Sequence, residues 1–184
     1  MEPWFIATER FGPWRGAYWD KYTSWSGLGG LRELITLDNG LCPTVLPDIE
    51  RDFWPHIVNE DFMLHFFTDL DFLLTRIEGI PERNLLCVYR NPPHHPVPPD
   101  APIKFGFVGY DVVDIHGDVS ALTNCGPFPD VFSTDELLPY GLLANRERAV
   151  AVRDKLRAFY PNHSHTDCHV WAVFRASEDE GSAP

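Results

Sequence analysis

The chain has 184 residues, 44% of them hydrophobic, 23% charged and 14% aromatic, and its 15 Lys+Arg against 27 Asp+Glu give a formal net charge of −12 at pH 7. Such values describe a folded domain with a sizeable core and exclude intrinsic disorder. No apolar run approaches the roughly 20 residues of a membrane helix, the lack of any Lys/Arg cluster argues against nucleic acid as a ligand, and the four scattered cysteines form neither a CxxC pair nor a disulfide framework.

From Met1 to about Asp52 the sequence is loop-rich and aromatic, with Trp4, Trp14, Tyr18, Trp19, Tyr22 and Trp25 set among glycines. Leu28 to Ile35 opens a short helix or strand, and Asp38-Asn39-Gly40 reads as a turn. Residues 59 to 78 carry the spacing of one helical face in Met63, Phe66, Phe67, Leu70, Leu73, Leu74 and Ile77, with Asn59 as N-cap and Gly79 and Pro81 as the stop. The opposite face of that helix presents an acidic strip containing Asp69 and Asp71.

Leu85 to Tyr89 predicts a buried strand, and Asn91 to Pro102, which contains His94 and His95, an exposed proline-rich loop. Strand chemistry resumes from Ile103 to Asp114, with Phe105 and Phe107 on one face, Val108, Tyr110 and Val112 on the other, and a bulge at Gly106 or Gly109. Ile115 to Asp118 forms a hairpin turn into a strand over Val119 to Thr123. Ser133-Thr134-Asp135-Glu136 starts a helical turn, and a longer helix runs from Asn145 to Tyr160 with Ala149, Val152, Leu156 and Phe159 as its core stripe. Cys168 to Phe174 is the last strand, Val170, Ala172 and Phe174 alternating with Trp171 and Val173.

These elements predict an α+β fold, a mainly antiparallel sheet with helices packed on one face, as a single domain over residues 1–176 with residues 1–52 as its aromatic N-terminal segment. Residues 177–184 form a disordered acidic tail. The start, Met1-Glu2-Pro3-Trp4, lacks the basic and apolar regions of a signal peptide, so the expected compartment is the cytoplasm, with reduced thiols.

Two constellations offer chemistry. His163, His165, Cys168 and His169 crowd nitrogen and sulfur donors ahead of the last strand, a ligand set that suits zinc, but a structural zinc site brings two such pairs at fixed spacing. Cys125, with His116 or His165 as base and Asp114 or Asp167 to orient it, has the residue types of a thiol nucleophile, yet Pro127 and Pro129 prevent a helix from starting at the cysteine and lowering its pKa. Nucleotide, dinucleotide, esterase and zincin motifs are absent. The expectation is therefore a protein without a cofactor or bound metal, with a Cys- or metal-dependent hydrolase as the enzymatic alternative.

Phe107 to Asp114 and Ser120 to Gly126 read as defined blocks, and with the small size, strong acidity and α+β character the chain resembles the immunity proteins of bacterial polymorphic and contact-dependent toxin systems. That resemblance implies an inhibitor that occludes the active site of a cognate, basic toxin domain, with no nucleic acid or membrane as partner. Its contacts would come from Asp69, Asp71, Asp111, Asp114, Asp118, Asp135 and Glu136, with Trp14 and Trp19 as aromatic anchors. A third reading makes the chain an adaptor subunit of a cytosolic complex, joined through apolar contact by its N-terminal tryptophans.

Overall fold

The structure is a computed structural model that describes residues 1–58, 62–124, 128–163 and 167–177. Among the described residues, β1 (Trp4–Glu9), β2 (Arg83–Arg90), β3 (Phe105–Asp114) and β4 (Cys168–Ala176) form one antiparallel sheet in the order β1-β2-β4-β3. Three helices accompany it, α1 (Ala17–Ser26), α2 (Leu70–Arg76) and α3 (Arg146–Phe159), and the architecture is α+β as the sequence predicts. The last strand in the chain sits between β2 and β3, so the sheet is complete only after residues 168–176 have inserted.

Strand alternation gives the sheet two buried faces. One face carries the row Phe5, Cys87, Phe174 and Phe107 across all four strands and is covered by Leu70 and Leu73 of α2, by Ile77 at its C-cap, and by Ala149, Val152 and Leu156 of α3. The other carries Ile6, Leu86, Val88, Trp171 and Val173 and is covered by irregular chain through Ile35, Leu37, Leu64, Phe66 and Leu142. A third cluster joins Trp19 and Tyr22 of α1 to Leu28, Leu34 and Cys42. Each outer strand is bridged by two separate segments, β1 at Phe67 and Thr44 and β3 at Leu143 and Ser120. Phe5 and Phe67 exchange backbone hydrogen bonds of 2.8 and 2.7 Å at β1, and Tyr110 and Leu143 do so at 2.8 and 3.0 Å at β3. These bridges cover part of each outer edge.

The helix predicted over 59–78 is corrected. Asn59 to Asp61 lie outside the described residues, Phe62 to Asp69 do not form helix, and α2 begins only at Leu70, with the Asp69 carboxylate accepting from the Phe72 N–H at 3.0 Å. Phe62, Leu64 and Phe66 all face the second core while Phe67 faces the first, which is the period of an extended chain. The exposed edge of β1 provides the backbone partners that a helix would otherwise have supplied.

Other differences are local. The register of β3 shifts between Phe107 and Gly109, so the bulge returns Tyr110 and Val112 to the same core as Phe105 and Phe107 rather than the opposite one. Val119 to Thr123 pairs with β3 only around Ser120 and then turns, because Ser120 is drawn into contacts with two buried carboxylates described below. Phe159 is exposed, since the chain leaves the helix at Tyr160, whose ring packs on Phe128 at 5.1 Å in its place. The N-terminal segment contains β1 and α1, two elements the sequence leaves uncalled. β1 is buried on both faces and shows no polar alternation, while α1 carries aromatics both inward (Trp19, Tyr22) and outward (Tyr18, Trp25). No helix among the described residues is long and apolar enough to cross a membrane. Of the disordered tail predicted over 177–184, Ser177 donates its N–H to Lys104 O at 2.8 Å and residues 178–184 lie outside the described residues.

Candidate functional site

An acidic and aromatic face is built where the segment 48–56 crosses α2. The 3₁₀ turn Arg51–Phe53 inserts Phe53 into the core, its ring 5.5 Å from Phe72 and 5.7 Å from Phe67. With Phe53 turned inward, the next residue, Trp54, is left 59% exposed, and Ile49 is exposed beside Asp48, Glu50 and Asp52. The crossing is fixed by polar contacts too. His56 lies flat on Phe72, ring centroids 4.0 Å apart, with its Nδ1 3.0 Å from Asp69 Oδ2, and the Arg76 guanidinium pairs with Asp52 while covering the rings of Phe53 and Phe72. The Phe72 backbone N–H, together with His56, holds the Asp69 carboxyl below its ordinary pKa. Asp71, exposed in the first turn of α2, extends the same negative face.

The other acids named from the sequence are dispersed. Asp111 is fully buried: Oδ2 accepts from Thr36 Oγ1 (2.7 Å) and Leu37 N (2.9 Å), Oδ1 from Ser120 Oγ (2.6 Å) and Val112 N (2.8 Å). Asp114 is buried as well, accepting from the backbone of Asp118, itself half-buried. Neither Asp111 nor Asp114 has surface to offer a partner, which corrects the expectation that they make contacts. Asp135 and Glu136 are exposed on a separate 3₁₀ turn, where Arg148 pairs with Glu136 and pulls its carboxyl down to about 2. Of the two tryptophans, Trp14 is 49% exposed with Arg10 over its ring, whereas Trp19 is buried in the third cluster and cannot act as an anchor.

Trp14 stands near a second feature. Tyr18, Tyr22 and Trp25 of α1 line a cleft of about 640 Å³ with Phe11, Leu41 and Pro43, rimmed by Glu9, Arg15 and Lys21. Asp111 has a neighbour in Asp38, whose oxygens accept from the N–H groups of Gly40, Leu41 and Ser120 and from Asn124. Burial pushes the Asp38 carboxyl up to about 6 and moves Asp111 in the same direction. This carboxylate pair is buried and joined through Ser120.

The two chemical constellations are not assembled among the described residues. Cys125 and His165 lie outside them, and His116 is exposed in the turn after β3, its carbonyl accepting from Met63 N. Cys168 is buried, its thiol pushed up to about 12 by burial, while the next strand residue, His169, meets Asn91 at 2.8 Å and His163 packs on Phe128. Alternation along β4 sends Cys168 and His169 to opposite faces. No group of three or more potential metal ligands comes together among the described residues. Burial likewise raises the thiols of Cys42 and Cys87, so each is a protonated core residue at neutral pH. Compared with family models, with curated proteins and with solved structures, the chain gives no match in any of the three.

Proposed function

We propose that the chain is an immunity-type protein of a bacterial cytoplasm that neutralises a basic toxin domain by covering its active site, with the face built on 48–56 and α2 as the contact surface. The observation that carries this reading is Trp54, exposed at the end of the 3₁₀ turn that inserts Phe53 into the core, with Asp48, Glu50 and Asp52 exposed beside it in the chain. A fixed aromatic side chain supplies contact area at little entropic cost, and exposed acids around it steer a basic partner and fix its orientation. The excess of twelve negative charges on the whole chain acts in the same sense at longer range.

The test is capture of native partners from the source cell by the tagged chain at low salt, with identification by mass spectrometry. A single basic protein is expected, released as salt is raised. Trp54→Ala and the double reversal Asp48→Lys/Glu50→Lys are expected to lower its recovery at least tenfold, while Asp154→Lys on α3 leaves it unchanged. Capture that resists salt and both variants would overturn the reading. A second reading, an adaptor joined through its N-terminal aromatics, is favoured by the cleft lined by Tyr18, Tyr22 and Trp25. It predicts that Trp25→Ala, and not Trp54→Ala, abolishes capture.

A further inference from the structure

In a chain with this excess of acid, one end of the sheet gathers positive charge. β1 and β4 finish there and β2 and β3 begin, and each strand end contributes one cation: Arg10 just after β1, Arg83 at the start of β2, Lys104 just before β3 and Arg175 near the end of β4. The register places them together, with Glu9 opposite Arg83, Leu86 opposite Arg175 and Phe105 opposite Ala176, and Ser177 N donates to Lys104 O at 2.8 Å. All four line one cleft of about 710 Å³. Leu74, Leu85, Pro102 and Ile103 supply the apolar part of a lining that is mostly polar.

Two of the cations are locked in place. Glu33, buried, takes Arg10 through Nε and Nη2 at 2.7 and 2.9 Å and Arg175 through Nη1 at 3.0 Å, and the Arg10 guanidinium also lies 4.8 Å from the Trp14 ring centroid. Among the described residues Glu33 and Glu82 are the carboxylates at this cleft, against four cations, and Glu33 is shared by Arg10 and Arg175, so Arg83 and Lys104 bring positive charge to a strongly negative molecule. A concave site lined by one sign of charge focuses the potential and concentrates counter-ions. Guanidinium groups present paired donors that fit phosphate and carboxylate oxygens, and a cleft of this size with a polar lining and an apolar patch suits a small organic anion.

We propose that this cleft binds a small organic anion, a phosphate or carboxylate head on an apolar body, separately from the acidic face that contacts a protein partner. The head meets Arg83, Lys104 and the two arginines fixed by Glu33, and the body lies on Leu74, Leu85 and Ile103.

Isothermal titration of the full chain at low salt with 1-naphthyl phosphate, 1-naphthoate and neutral 1-naphthol tests it. One equivalent of an anionic probe is expected to bind, with 1-naphthol at least tenfold weaker; whichever anion binds more tightly identifies the head. Arg83→Ala/Lys104→Ala is expected to weaken binding at least tenfold. Lys104→Ala alone, at an exposed position before β3, is expected to weaken it severalfold with an unchanged thermal midpoint, which separates loss of the site from loss of the fold. Arg51→Ala/Lys155→Ala, two cations elsewhere on the surface, is expected to bind as the parent does. The proposal is overturned by no binding of either anion at 10 mM, by 1-naphthol binding equally well, or by a loss in the surface control equal to that in the cleft variant. None of these outcomes depends on whether a protein partner is captured.

Discussion

Ser120 ties two buried carboxylates together, its N–H donating to Asp38 Oδ2 at 2.9 Å and its hydroxyl to Asp111 Oδ1 at 2.6 Å. Every hydrogen bond that reaches the two groups favours the charged form, yet burial outweighs them and leaves Asp38 titrating at about 6. The unfolded chain releases this proton near pH 4 and the folded chain near pH 6, so between these values the folded state holds more protons. Stability from this group is therefore greatest below about pH 4, falls as pH rises to about 6, and is flat above. Asp38→Asn cannot ionise, and the difference in unfolding free energy between the parent and this variant should shrink over that window when measured by urea denaturation. At pH 7 the variant should still be less stable by about 1–3 kcal/mol, because one NH₂ group then faces backbone donors. A difference that grows from pH 4 to 6 would contradict the burial argument. None of this is legible in the sequence, where Asp111 reads as one more surface acid. Its burial depends on Thr36, 75 residues away, and on Ser120.

At the scale of elements, the bulge in β3 depends on one glycine and leaves the other free. Gly109 has φ +146°, and a Cβ there would lie 2.5 Å from Leu142 Cβ and 3.0 Å from Leu143 O, whereas a Cβ on Gly106 meets nothing within 4 Å. Gly109→Ala should cost about 1–3 kcal/mol or more in thermal or urea unfolding, and Gly106→Ala should be near neutral. Equal effects would mean that the bulge is placed by something other than close approach of residues 142–143. The sequence points to these two glycines as bulge candidates but cannot rank them, because the clash partner is remote in the chain. α3 is legible to its N-cap, Asn145, whose side chain accepts from Arg148 N at 2.8 Å, since its apolar stripe and its cap are both local. α2 is legible only in its second half. Its first predicted turns carry Met63, Phe66 and Phe67 at helical spacing, while Phe62, Leu64 and Phe66 follow the period of an extended chain, and β1 decides between them by offering backbone partners to Phe67, which leaves Met63 exposed.

For the whole molecule, the sheet's second face is covered among the described residues by irregular chain and not by a helix, and Trp171 joins an aromatic cluster there. Its ring stacks on Phe66 at 5.1 Å and meets Trp4 and Phe62 at 5.7 and 6.0 Å, while its buried Nε1 has no hydrogen-bond partner among the described residues. Trp171→Ala should therefore cost about 3–5 kcal/mol. Trp171→Phe should cost well under half of that, because it removes an unpaired donor along with some contact area. A phenylalanine variant as unstable as the alanine one would show that the indole N–H is satisfied. Charge is distributed on the same scale, with acids around Trp54 at one place and four cations at one sheet end. The sequence by itself determined the α+β class, β2, β4 and α3, because each of these follows from apolar spacing, caps and turn residues within a few positions of one another. The tertiary structure alone decided which acids are buried, which tryptophans are exposed, that Phe62 to Phe67 is extended, and that Arg10, Arg83, Lys104 and Arg175 share a cleft. Each of those outcomes depends on strand pairing between residues far apart in the chain, and a local pattern carries no information about which distant backbone edge or side chain it will meet.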